Sequence, residues 1–241
     1  MGPIRWGAAT RVTALLVTAF FFAATVLQAL LEFDVLGEPP VGGIDFVDEV
    51  LAGFAWEQER WPVEFAATVL FAAGFASLAG LGLLLARLAP SDDARRPLIQ
   101  AAYLGAGGIG VASQLLWLGV KPVASSPELC ECGLRTEEVM SRVMILNVAE
   151  NVQLWMAIGA VVLAAIGALL VAPLGRRAGM PSGWFWIAMA IAVLGPLAGM
   201  LAVLGAAPFD AIVLILVAGI ALPGWALWLA IRSESLSFLD A

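Results

Sequence analysis

The chain has no histidine, one lysine and two cysteines among its 241 residues. The absence of histidine excludes His-ligated haem, His-containing zinc sites, Ser-His triads and a histidine general base. Two cysteines are too few for an iron–sulfur cluster or a four-cysteine zinc site. Lys121, the one lysine, lies at the end of an apolar run, so a Schiff base at mid-membrane has no candidate. We therefore expect no metal site and no cofactor, and a non-enzymatic protein is favoured.

Charge is also scarce. Only 13% of the residues are charged, whereas 62% are apolar, and the mean hydropathy is +0.97. A soluble domain is roughly half apolar and a quarter charged, and a chain of this size has too much surface to hide the excess in one core. We infer that lipid solvates most of the chain. The net charge of −7 argues against a nucleic-acid partner and leaves membrane lipid as the expected one.

Six long apolar runs predict the fold. Such a run is typical of a transmembrane helix, because about 20 residues cross the hydrocarbon core. Five runs carry no charge, and the fourth carries only Glu150 near its start. The fold class is therefore all-α, a single membrane domain over residues 1–241 with a bundle of six transmembrane helices. The predicted spans are residues 12–31, 65–86, 98–120, 143–172, 184–205 and 211–231.

Basic residues indicate the orientation, because they concentrate in short cytoplasmic segments. With the N-terminus inside, eight of the twelve basic residues lie in cytoplasmic segments. These eight are Arg5, Arg11, Arg87, Arg95, Arg96, Arg176, Arg177 and Arg232. We expect a multi-pass protein of the cell inner (plasma) membrane with both termini in the cytoplasm.

The first outer segment, residues 32–64, holds nine acidic residues and one arginine. Apolar residues recur at helical spacing between Ile44 and Phe54, which predicts a short amphipathic helix, Ile44–Gln58, on the outer surface. This helix is either a lid that covers the bundle or a gate whose acidic patch receives a cation or a basic partner.

The second outer segment contains Cys130 and Cys132, one residue apart. The outer side of the membrane is oxidising, so a disulfide between them is possible, and it would be strained and easily reduced. A structural staple, an inert pair, a redox pair and metal capture with Glu128 and Glu131 all remain open. A redox role is disfavoured because no lysine or histidine lies beside the pair to lower a thiol pKa.

Polar side chains cluster near the outer ends of the predicted spans. The five that we select as candidate ligand-binding residues are Gln28, Gln114, Asn147, Glu150 and Asn151. Polar groups in lipid are costly unless satisfied, which favours turning them inward. They form either an outward-facing polar pocket or ordinary hydrogen bonds between helices.

Glycine and proline lie near the middle of three spans and suggest where such a pocket would end. Kinked helices diverge, and we expect them to diverge on the side where the polar groups are. The predicted cavity is floored near Gly107 and Gly195 and roofed by residues 44–58. Gln28, Gln114 and Glu150 form its walls.

Two apolar stretches of the last third carry a resemblance. Residues 183–205 include a mid-span Gly195-Pro196-Leu197, and Ala221–Leu229 combines Leu-Pro with a tryptophan-rich end. They resemble a bacterial family of six-helix integral membrane proteins known only as a domain of unknown function. The resemblance covers the rest of the chain only in helix number and loop size. It implies six helices and no particular activity, so no functional residue carries over.

Three functions compete at this point. The first is an integral membrane protein that binds or transports a small amphiphile, a lipid or a cation in an outward-facing pocket. The second is a non-catalytic structural or accessory subunit that packs against another membrane protein. The third is an extracytoplasmic thiol oxidoreductase that uses Cys130 and Cys132.

Overall fold

The computed structural model describes residues 6–33, 35, 46–125, 136–205 and 209–232, and these residues form helices and no strand. The first five spanning helices are α1 (Trp6–Glu32), α2 (Phe46–Leu85), α3 (Arg95–Ala124), α4 (Thr136–Arg177) and α5 (Ser182–Val203). The sixth consists of α6 (Phe209–Ile215), a π-helical segment (Leu216–Ala221) and α7 (Leu222–Arg232). A short 3-10 turn, Ala86–Leu88, follows α2.

Six helices in this part of the chain are long and apolar enough to cross a membrane, which confirms the predicted fold class. Two of them are longer than a crossing requires. The 40 residues of α2 and the 42 of α4 correspond to about 60 and 63 Å of helix, against a hydrocarbon core of about 30 Å. Both helices therefore extend well beyond the membrane at one end.

The helices form a closed ring in chain order. Each packs against its neighbours in sequence, and the sixth spanning helix packs on α1. A hydroxyl group fastens this closure, because Thr18 Oγ1 donates to the carbonyl oxygen of Pro223 at 3.1 Å. Consecutive helices therefore run in alternating directions, and the end of each helix lies beside the start of the next.

Small residues bring neighbouring helices into close contact inside the ring. A Cβ atom at Gly107 of α3 would lie 2.5 Å from the Cβ of Ala79 and 2.9 Å from the carbonyl oxygen of Phe75, both on α2. A Cβ atom at Gly195 of α5 would lie 2.8 Å from the Cβ of Ala165 on α4. The two glycines expected at the floor of a cavity are thus contact points between adjacent helices.

The segment predicted as a short surface helix is, over its described residues 46–58, the first part of the continuous helix α2. Asp48 and Glu49 lie in its first turn, where carboxylates favour the positive end of the helix dipole. Pro62 lies inside α2 without ending it. Residues 44 and 45 lie outside the described part of the chain.

The fourth predicted span stops at residue 172, before Pro173, but α4 continues through this proline. The helix continues to Arg177, and Gly179 then turns the chain in a left-handed conformation at φ 89°. Packing holds the extra turn in place, because Leu174 is buried and Gly175 lies directly under the ring of Trp184. Tertiary contact here outweighs the one backbone hydrogen bond that proline removes.

The bundle has two chemically different ends. We call the end that carries Arg87, Arg95 and Arg176 the arginine end, and the opposite end, where Glu57 and Glu64 lie, the acidic end. At the arginine end Asp93 begins the first turn of α3 by accepting the backbone N–H of Arg95 at 2.9 Å. The Arg95 side chain also binds this carboxylate and holds its pKa at about 2.

Candidate functional site at the acidic end

Lys121 anchors the acidic end of the bundle. Its Nζ donates to both carboxylate oxygens of Glu64 on α2, at 2.8 Å and 2.6 Å. Trp117, one turn earlier on α3, donates its Nε1–H to Glu64 Oε1 at 2.7 Å. The lysine and glutamate side chains are only 11% and 15% exposed. The pair therefore joins α2 to α3 in a place that water reaches poorly.

A second carboxylate, that of Glu57, lies beside this ion pair. Glu57 lies two turns before Glu64 on α2, and its Oε2 is 3.7 Å from Lys121 Nζ. Burial raises the pKa of Glu57 above its usual value, and the charges of Glu64 and of Glu150 on α4 raise it further, while Lys121 opposes them. Among the described residues, two carboxylates therefore share the ammonium group of Lys121, and the charge of Glu150 acts on one of them from α4.

Two side chains of α2 fix the level at which its neighbours end. Gln58 Nε2 donates to the carbonyl oxygen of Ser125, just after the last residue of α3, at 2.7 Å. Arg60 donates to the carbonyl oxygen of Leu31 near the end of α1, and its guanidinium group lies 4.1 Å from the ring centre of Trp56. Beyond this level α1 and α3 have ended, whereas α2 and α4 continue.

The part of α4 beyond this level has an apolar, exposed face. Met140, Met144, Val148 and Val152 repeat every four residues, and all four are exposed. Residues 151–175 of α4 carry no charge, and Glu150 and Arg176 bound them. Since about 20 residues fill the hydrocarbon core, Met140 and Met144 lie outside it. We call these four residues, which sit partly beyond the lipid tails, the α4 stripe.

The stripe forms one side of an open depression with a volume of about 480 Å³, which we call the α4 depression. Its described lining is five apolar side chains and two asparagines: Met140, Val143, Met144, Asn147, Val148, Asn151 and Val152. Asn151 Nδ2 donates to the backbone carbonyl of Asn147 at 2.7 Å, which fixes the orientation of that amide. An apolar floor with a few polar groups is the usual lining of a small-molecule site.

The structure brings two of the five candidate ligand-binding residues together, Asn147 and Asn151 in the α4 depression. Glu150 is exposed on the same helix. Gln114 is buried on α3 and donates to Ser113 Oγ at 3.1 Å. Gln28 donates to Glu32 Oε1 on its own helix at 2.9 Å. Both glutamines thus make local hydrogen bonds, and their role in a site stays a prediction.

Cys130 and Cys132 lie outside the described residues. The residues that the sequence reasoning missed are Glu57 and Trp117, together with Lys121 as their partner. One signal for them was present: Trp117 and Lys121 are four residues apart, and Glu57 and Glu64 are seven apart, so each pair shares a helix face.

The fold and this site define a class of protein, a six-helix bundle of the membrane-spanning type with an acidic extension at one end. Comparisons with protein-family models, with curated proteins and with solved structures give no match. These comparisons therefore do not assign the chain to the family that its last third resembles. Any more particular function has to be argued from the acidic end itself.

Proposed function

We propose that this protein binds a small amphiphile, such as a lipid, in the α4 depression at the acidic end. The observation that carries the proposal is the exposed α4 stripe, of which Met140 and Met144 lie beyond the hydrocarbon core. Leaving apolar surface in water costs roughly 25 cal/mol per Å², so a ligand that covers the stripe gains that energy. The volume of about 480 Å³ lies within the range of small-molecule sites, roughly 300–1,000 Å³.

We further propose that the acidic end faces the outside of the cell and the arginine end faces the cytoplasm. The arginine end gathers Arg87, Arg95, Arg96, Arg176 and Arg177 in two short connections. This is the distribution that the positive-inside rule associates with cytoplasmic loops. Both chain termini are then cytoplasmic, and the depression opens on the outer side of the plasma membrane.

Photolabelling in lipid nanodiscs tests the binding proposal. The probe is a dodecyl maltoside that carries a diazirine on its alkyl chain, and labelled positions are mapped by peptide mass spectrometry. We expect labelling of residues 140–152 to saturate with probe concentration. Lipid-facing residues of α5 should label in simple proportion to the concentration, because a bilayer offers no discrete site.

A matched pair of methionines supplies the control. Met144 of α4 is 66% exposed and lines the depression, whereas Met200 of α5 is 61% exposed and lies away from it. The Met144→Gln variant should weaken saturable labelling several-fold, and Met200→Gln should leave it unchanged. Labelling without saturation over residues 140–152 would overturn the proposal and favour the accessory-subunit alternative, in which the α4 stripe packs on another protein.

A further inference from the structure

The α4 depression has a negatively charged edge. Glu150 lies seven residues from Val143, which lines the depression, so the two share a face of α4 about two turns apart. Arg142 precedes Val143 in the sequence and lies about 100° around the helix from it, whereas Glu150 lies only about 20° from it. The charge of α4 that lies nearest to this lining residue is thus a carboxylate.

Glu150 has no salt bridge with any residue that the structure describes, and its side chain is exposed. Lys121, the nearby ammonium group, is held by Glu64 and Glu57. The negative charge of Glu150 is one of the causes that raise the pKa of Glu57, so the two carboxylates repel each other. A positive charge placed beside Glu150 would relieve that repulsion and form an ion pair.

We propose that the amphiphile of the α4 depression carries a positively charged headgroup, a primary or quaternary ammonium, which Glu150 binds. The alkyl chain lies on the α4 stripe along Met144 and Val148. Charge complementarity at the edge and an apolar floor beside it select this class of ligand over neutral or anionic amphiphiles. This inference rests on the proposed function, because it assigns the headgroup of the ligand of the same site.

Glu150 is then the residue that determines headgroup specificity. Asn147 and Asn151 contribute to binding whatever the charge of the headgroup. An ion pair at an exposed position is weakened by salt, since the Debye length is about 10 Å at 0.1 M ionic strength. Selectivity for the cationic amphiphile should therefore decrease as salt is added, whereas the apolar contribution to binding should not.

Three probes with one alkyl chain test the inference. Each is a diazirine-bearing dodecyl chain, with a trimethylammonium, a maltoside or a sulfate headgroup, applied to the protein in nanodiscs of zwitterionic lipid. We expect the trimethylammonium probe to half-saturate residues 140–152 at a concentration about two- to fivefold lower than the maltoside, as suits an ion pair at an exposed position. The sulfate probe should require a higher concentration than the maltoside.

Two variants that remove one negative charge each separate a local effect from a general one. Glu150→Gln should raise the half-saturating concentration of the trimethylammonium probe to that of the maltoside probe. Glu59→Gln changes the same net charge at the same end, on the exposed side of α2, and should keep the preference. Equal loss of preference in both variants would mean attraction to the acidic end as a whole and would overturn the role of Glu150.

The outcomes also separate the two proposals. Saturable labelling with equal half-saturation for trimethylammonium and maltoside would overturn the headgroup assignment and leave amphiphile binding intact. Absence of saturable labelling with all three probes would overturn the proposed function itself.

Discussion

Gly107 and Gly108 are neighbours in α3 with different surroundings. Gly107 is buried against α2, where a Cβ atom would come within 2.5 Å of Ala79 and 2.9 Å of the Phe75 carbonyl oxygen. Gly108 is exposed, and a Cβ atom there would meet nothing within 4 Å. The two positions show that α2 and α3 are in close contact at Gly107, whereas Gly108 faces away from that contact.

Replacing each glycine with alanine should give opposite results. Gly107→Ala forces α3 away from α2, and overpacking of this kind costs about 1–3 kcal/mol. Gly108→Ala only reduces the backbone freedom of the unfolded chain, so it should leave the stability of the protein unchanged or raise it by up to about 1 kcal/mol. The free energy of unfolding, measured by titrating the folded protein with a denaturing detergent, checks both values. Similar stability of the two variants would show that α2 and α3 do not touch at Gly107.

The Lys121–Glu64 pair determines how α2 and α3 are joined at the acidic end. Because both side chains are mostly buried, removing one partner leaves the other charge poorly solvated. Lys121→Met should destabilise the protein by about 2–4 kcal/mol, near the range for a broken buried pair and well above that of a surface pair.

The double variant Glu64→Gln with Lys121→Met is the control for this interpretation. The amide oxygen that replaces the carboxylate can still accept the Trp117 N–H, and no negative charge is left at that position. We expect the double variant to be more stable than Lys121→Met alone in the same detergent titration. If the free energy of unfolding of Lys121→Met is within about 0.5 kcal/mol of that of the unmodified protein, the pair behaves as a weak, solvent-screened surface pair.

The spanning helices could be predicted because length and lack of charge decide them residue by residue. The contact of Lys121 with Glu64 could not, because it depends on the register between two helices, which neither sequence segment contains alone. The sequence also could not predict that Asn147 faces away from the bundle, for a related reason. The first part of α4 is apolar on both sides, with Val139 and Ala149 buried and Met144 and Val148 exposed, so periodicity does not reveal which side faces the bundle.

The number of spans and the separation of charge between the two ends predict the orientation of the protein in the membrane. Six crossings return the chain to the side on which it began, which is the side of the arginine end. A fluorescent protein fused after Ala241 should therefore fold and fluoresce in the cytoplasm, and alkaline phosphatase at the same place should be inactive. Insertion of each reporter between α3 and α4 is the reciprocal control, and the reverse pattern would invert the proposed topology.

The uninterrupted length of α4 has a mechanical consequence. Two close contacts hold this rod to α5, one where Ala165 meets Gly195 and one where Gly175 meets Trp184. About 25 residues, at 1.5 Å each, separate Met140 from the first of these contacts. A change in the tilt of α4 at the held part therefore displaces Met140 by a distance that grows with the length of this arm.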